Sequence, residues 1–257
     1  MKRILSIDFD FFQIVSHETI LRCYPDGVDL PSFITEATWA SHYASHKEEL
    51  MQIQANKKQL EDLMKIIAAQ SPDIKIQITQ SHRHAYKFIK ENISTKDETC
   101  EIINIDMHHD MYNPKYEIDC GNWLSHIDNE YPNAHITWVE NPESQNAYGT
   151  DIHNTKPINI KQDFDFMDDI KFDMIFLCRS DSWLPPHLDT EFNKLKKFIT
   201  CMKCEVSGKC CDENCPTQYD AGNMGEIIEN LEEISKILEQ EPCEDAVSRE
   251  AMLDAIT

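Results

Sequence analysis

The chain is short of positive charge and has no long apolar run. Lys and Arg number 24 against 46 Asp and Glu, a net charge of −22 with His neutral. Nucleic-acid binding wants a basic patch to meet the phosphates, so this balance argues against nucleic acid as a partner. The same balance suits a cationic ligand, drawn in by electrostatic attraction. No stretch approaches the roughly 20 apolar residues of a membrane-spanning helix. The opening apolar stretch is interrupted by Asp8 and Asp10, which is unlike a secretory signal. The resulting expectation is a cytoplasmic protein with no membrane partner. There is no visible internal repeat. Apolar residues make up 41 % of the 257, enough for one sizeable α/β core plus an appendage.

What the sequence does have is acid and imidazole at strand ends. Asn104-Ile105-Asp106-Met107-His108-His109-Asp110 follows the apolar segment Ile102–Ile105. Extended backbone sends alternate side chains to one face, so Asp106, His108 and Asp110 are expected to project together. Two carboxylates and an imidazole suit a divalent metal, Mn²⁺ or Zn²⁺, with the hard oxygen donors favouring Mn²⁺. The bland alternative is a strand end with solvated acids and a structural histidine. A second run, Ile4-Leu5-Ser6-Ile7-Asp8-Phe9-Asp10, embeds two acids among large apolar residues. Burying such acids is costly unless they are paired, exposed at a sheet edge or bound to a cation. A third run, Ser81-His82-Arg83-His84, follows another strand-like segment and supplies further imidazoles.

Strand-like runs are predicted at Ile4–Asp8, Ile74–Thr79, Ile102–Asp106, His135–Val139, Pro157–Ile160 and Met174–Cys178, with helices over Lys47–Gln70, His84–Glu91 and Thr190–Lys203. Alternating strands and helices predict a three-layer α/β/α fold with a mostly parallel sheet covered on both faces. Ligand sites in such sheets lie beyond the carboxyl ends of the strands, where all three acid and imidazole runs fall. The stretch from Asn141 to Thr155 reads as a long loop, a candidate lid.

These motifs together resemble those of the arginase and agmatinase (ureohydrolase) superfamily, within a wider arginase/deacetylase-like fold. Ser6-Ile7-Asp8-Phe9-Asp10 is similar to its Ser-x-Asp-x-Asp signature and Asp106–Tyr112 to its Asp-x-His-x-Asp-x-Tyr motif. Ser81–Tyr86 is similar to the segment that supplies its remaining metal histidine, and Cys120-Gly121-Asn122 to its Ser-Gly-Asn substrate loop. The resemblance spans roughly residues 1–190 and is narrowest to an arginase-like group that includes peptide arginases. Three features depart from the pattern: the Asp-x-Asp strand comes first, no Gly-Gly-Asp-His phrase is present, and Trp123-Leu124 follows Asn122. No late glutamate for the guanidinium is evident.

The resemblance implies two Mn²⁺ held by Asp8, Asp10, His84, Asp106, His108 and Asp110, with His82 as the substitute for His84. Two ions sharing a water lower its pKa and supply a nucleophile for a guanidino carbon, releasing urea. The substrate would be a guanidino-containing small molecule or a peptide. His126 is the candidate proton carrier, histidine being the side chain that changes charge near neutral pH; Asp110 would serve catalysis as well as the metal. Asn122 is the substrate contact implied by the Gly-Asn match. Asp181, following the last strand, is placed to neutralise a guanidinium or to pair with Arg179, and Trp123 and Trp183 offer aromatic walls. Two alternatives stay open: a deacetylase-type amide hydrolase working with one zinc, and a non-catalytic metal-binding interaction protein.

The remaining organisation is an appendage. Residues 1–200 are read as the metallohydrolase domain, 201–216 as a Cys-rich segment and 217–257 as a helical tail. Cys201, Cys204, Cys210 and Cys215, with Cys211 beside them, have the density of a structural zinc site, though the spacing matches no established zinc motif. Met224, Ile227, Ile228, Leu231, Ile234 and Leu238 recur at helical spacing, as in an amphipathic helix. The oligomeric state is not legible from these features.

Overall fold

A computed structural model describes residues 1–25, 29, 32–149 and 151–207. In chain order the strands are β1 (Lys2–Asp8), β2 (Gln13–Ile14), β3 (Gln54–Ala55), β4 (Lys75–Thr79), β5 (Cys100–Asp106), β6 (Ala134–Glu140), β7 (Asn159–Lys161) and β8 (Met174–Cys178). The helices are α1 (His17–Cys23), α2 (Ser32–Leu50), α3 (Lys57–Ala68), α4 (His84–Asn92), α5 (Trp123–Glu130), α6 (Ser144–Tyr148) and α7 (Asp189–Ser207). Among these residues six strands form one sheet in the order β4-β8-β1-β5-β6-β7, every pairing parallel. A short antiparallel pair, β2 with β3, stands apart.

Strand alternation builds the layers. Leu5, Ile7, Ile103, Ile105, Ile175 and Leu177 pack one face against α2, α3 and α7 through Tyr43, Leu63, Ile67 and Leu195. Ile4, Ile102, Met174 and Phe176 pack the other face against α4 and α5 through Phe88, Ile89, Leu124 and Ile127. Central strands buried on both sides need the near-continuous apolar runs that β1, β5 and β8 carry. The expected α/β/α architecture is present. No helix among the described residues is long and apolar enough to cross a membrane.

Local differences from the sequence-based expectation have identifiable causes. The single helix predicted over Lys47–Gln70 is two helices separated by β3. Asn56 ends the interruption by capping α3, its side chain accepting from the Gln59 N–H at 3.2 Å. Ile53 and Ala55 are buried in that gap while Gln54 points out, a strand alternation inside an otherwise helical pattern. The region from Asn141 to Thr155 contains α6. α7 runs through Cys201 to Ser207, so the boundary drawn at residue 200 falls inside a helix. The side chain of Cys204, and Cys210, Cys211, Cys215 and the tail, lie outside the described residues; Cys201 is in no disulfide.

Two stability predictions follow from this packing. Leu177 is fully buried at the centre of the sheet, so Leu177→Ala is expected to cost about 2–5 kcal/mol, read as a lower urea midpoint at an unchanged m-value. His187, in the 3₁₀ turn Pro186–Leu188, ties that turn to α2 and to the segment after it: its Nε2–H donates to Ile53 O at 2.8 Å and its Nδ1 accepts from the Tyr43 hydroxyl. Burial lowers its pKa below the ordinary 6.5, so protonation favours the unfolded chain. Its contribution is fully present above pH 6.5 and is lost as the pH falls below that value. Thermal melts from pH 7.5 to 5 are expected to show a smaller acid destabilisation in His187→Gln than in the wild type.

Candidate metal centre

The sheet has a topological switch between β1 and β5. The chain leaving β1 travels to β4 on one side, and the chain leaving β5 travels through α5 to β6 on the other. The two connections diverge and leave a crevice at the carboxyl ends of adjacent strands. Register fixes what lines it: Ser6 pairs with Asn104 and Ile7 with Ile105, so Asp8 and Asp106 end neighbouring strands side by side.

The acids beyond the strand ends arrive by turns. β1 stops at Asp8, and Phe9–Phe12 form one 3₁₀ turn that Asp8 caps, its side chain accepting from the Asp10 N–H at 3.4 Å. β5 stops at Asp106, whose Oδ1 accepts from the His108 N–H at 2.7 Å. Asp110 then takes a left-handed backbone with φ of 52°, uncommon for a residue with a Cβ. That conformation brings its carboxylate beside His82, where its Oδ2 also accepts from Trp123 Nε1 at 2.5 Å. The triplet therefore converges, but through Asx-type turns and one left-handed residue in place of strand alternation. Ser180, at φ 64°, is a second left-handed residue at the same rim, its hydroxyl 3.5 Å from Asp10 Oδ2.

His82, not His84, completes the group. It reaches from the end of β4 across β8, stacked on Phe176 with ring centroids 5.6 Å apart and planes 8° from parallel. Its Nδ1 lies 2.9 Å from Asp110 Oδ2, 3.0 Å from Asp106 Oδ2 and 3.2 Å from Asp8 Oδ2. None of the three contacts has hydrogen-bond geometry. Ser6 Oγ lies 2.7 Å from Nε2, so Nδ1 is the ring nitrogen turned toward the three carboxylates. His108 Nδ1 similarly sits 3.0 Å from Asp10 Oδ2 and 3.5 Å from Asp106 Oδ1. Two groups of ligand atoms result, Asp8–His82–Asp106 and Asp10–Asp106–His108, which share Asp106. Metal–ligand bonds of about 2.1 Å at right angles put neighbouring ligand atoms about 3 Å apart, close to the 2.9–3.5 Å between the histidine nitrogens and the carboxylate oxygens here.

The electrostatics describe a charge cluster in want of cations. Burial and the neighbouring Asp106 raise the pKa of both Asp8 and Asp110, and burial with Asp8 beside it pushes Asp10 up to about 7. Burial acts the same way on Asp106 but is outweighed by the His108 and His82 imidazoles beside it, which hold it low. Burial alone would lower the two histidines. Asp110 foremost for His82, and Tyr148 and Asp10 for His108, raise them well above the ordinary value. Four carboxylates balance two divalent ions with both imidazoles neutral, a cheaper arrangement than buried charge neutralised by protons alone.

This cluster floors a cavity of about 940 Å³, near the top of the range for small-molecule clefts. Tyr112, Tyr148 and Trp183 form walls, and Asp29, Glu117, Asp119 and Asp151 lie around it. The Tyr148 ring packs on His108 at 4.0 Å between centroids, and its buried hydroxyl has no hydrogen-bond partner. Gly121 is required here, since a Cβ would stand 2.9 Å from the Tyr112 ring.

The other expected site residues are placed differently. His84 opens α4 on the outward face it shares with Lys87 and Glu91, while Ala85, Phe88 and Ile89 face the core. His126 does not line the cavity; it packs edge-on against Tyr86 of α4 at 6.1 Å. Asn122 does line it, but its amide holds the loop before α5, donating to Glu117 O at 2.9 Å and accepting from the Asp119 N–H at 3.0 Å. Asp181 is buried and ion-paired to Arg179 at 2.9 Å, and Arg179 also binds Asp189. Trp123 is fully buried, whereas Trp183 does face the cavity. Tyr148 and Asp29 were not legible as cavity residues, because Tyr148 ends the five-residue α6, too short to show a period, and Asp29 lies in no helix or strand.

No protein-family model matches the chain, and no curated protein or solved structure matches it.

Manganese titration tests the centre directly. Addition of Mn²⁺ to chelator-stripped protein is expected to raise the wild-type Tm and to give about two ions per chain by elemental analysis. Asp106→Ala, which removes the shared ligand, is expected to abolish both effects.

Proposed function

We propose that this chain is a metal-dependent hydrolase of the arginase-like type that cleaves a guanidino C–N bond and releases urea, using two Mn²⁺. The observation that carries the reading is His82 Nδ1 set 2.9–3.2 Å from three carboxylates, with Asp106 shared by a second histidine-containing group. Asp8, His82, Asp106 and Asp110 would hold one ion; Asp10, Asp106 and His108 would hold the other. Predominantly oxygen donors favour Mn²⁺ over a softer ion. When bound, such a pair supplies Lewis acidity and lowers the pKa of water toward neutrality.

The rest of the proposed reaction belongs to the chain's own side chains. The acidic surround of the cavity attracts a guanidinium, and the Trp183 and Tyr148 rings offer it π faces. Asn122 positions the loop that carries Gly121 and Asp119. Tyr148 takes over the proton-carrying role first assigned to His126, because its unpartnered hydroxyl belongs to a residue of the cavity wall and packs beside His108. Burial raises its pKa, so it holds its proton at neutral pH and has one to give to the departing amine. Two overlapping ligand groups favour this reading over a one-zinc amide hydrolase.

The test is urea release by Mn²⁺-loaded protein from free arginine, agmatine and arginine-containing peptides. Asp106→Ala is expected to fall to background, and Tyr148→Phe to lose about 10²-fold or more in kcat with two ions still bound. Absence of urea from every guanidino compound by protein carrying both ions would overturn the proposal, and acetate release from acetylated amines would favour the amide-hydrolase alternative.

A further inference from the structure

A second constellation of metal-binding side chains lies away from the cavity, where the end of α1 meets the end of α2. Cys23, His46 and Glu49 present one ligand atom each, all within 4.8 Å of one another. None of the three lines the cavity. Cys23 is fully buried, and its thiol donates to Glu49 Oε2 at 2.9 Å. The same oxygen takes Arg22 Nη2 at 2.7 Å. One carboxylate oxygen thus serves a guanidinium and a buried thiol together, while His46 stands beside them. The backbone also leaves helical geometry inside α2 at His46, with φ −133° and ψ 25°.

We propose that Cys23, His46 and Glu49 form a zinc site that clamps α1 to α2, independent of the metal centre in the cavity. The donor set decides the metal. A thiolate, an imidazole and one carboxylate match Zn²⁺, whereas the oxygen-rich cavity cluster suits a harder ion. Binding converts the Cys23 S–H to a zinc thiolate and releases its proton to solvent. Glu49 and His46 are partly exposed, so the ion enters from their side and a water takes the fourth position. Arg22 is half exposed and its guanidinium competes for the Glu49 oxygen, so it swings toward solvent when zinc binds. The clamp has an evident mechanical use: α1 has only seven residues, too few to persist without tertiary support. Cys23 also lies shortly before Asp29, which borders the cavity and accepts from the Ser81 hydroxyl at 2.5 Å.

The experiment uses the full chain, stripped with chelator and reconstituted with zinc alone. Zinc per chain is measured by elemental analysis, affinity by competition with a chromophoric chelator, and stability by thermal melts. Other zinc-accepting residues are common to all proteins compared, so the reading is the difference between variants. Cys23→Ser and His46→Ala are each expected to bind one zinc fewer than wild type and to lose the corresponding rise in Tm. Arg22→Ala, which removes the competitor, is expected to tighten the site about tenfold or more, within the range by which outer groups tune metal affinity. His46 lies at the partly exposed edge, so His46→Ala carries the test if Cys23→Ser fails to fold. Unchanged zinc content and affinity in His46→Ala would overturn the proposal, whatever the state of the cavity centre.

Discussion

The structure turns on repulsion held in check: four carboxylates and two imidazoles crowded together at the junction of two parallel strands. Asp106 and Asp10 are fully enclosed, and Asp8 and Asp110 nearly so. A sheet whose central strands are apolar on both faces does not tolerate such a group cheaply unless an opposite charge compensates it. Much of the local architecture serves to keep these acids together. Trp123 donates to Asp110, Asn104 to Asp106 at 3.3 Å, and the Met107 N–H to Asp10 at 3.3 Å. Two residues accept left-handed backbone for the same end.

The layers were readable from the sequence because their signal is periodic. β8 is found at the predicted residues, and β1 and β5 differ only in starting two residues earlier. Apolar runs of that length, spaced by helical patterns, have few other ways to bury themselves. The break between α2 and α3 was harder to see. Its only mark is a capping asparagine and three residues of strand alternation, a local signal weaker than the helical periodicity on both sides.

The candidate site was legible in its acids and less so in its partners. Asp8, Asp10, Asp106, His108 and Asp110 stand out because charge inside apolar segments is anomalous in any fold. The choice between His82 and His84 depended on phase. The buried positions Ala85, Phe88 and Ile89 fix the inward face of α4, and they put residue 84 outside; that pattern was present in the sequence and outranks the likeness of a motif. Asn122 was identified by the Gly-Asn resemblance and Asp181 by position, yet their side chains are engaged by Glu117, Asp119 and Arg179. Engagements of this kind involve partners brought together by folding, which spacing along the chain does not encode.

The register of the first strand has a bearing on how this molecule is made. β1 lies in the middle of the sheet, yet its two neighbours, β5 and β8, are built from residues near 100 and 174. During synthesis an apolar ribbon bearing two acids emerges before both of its flanks and waits until about 170 further residues have been translated. Long-range parallel pairing of this type is slow and leaves sticky edges open in the interval. A ribosome-released fragment ending before Met174 would therefore possess every acid of the cluster and still be unable to close the wall that supports His82.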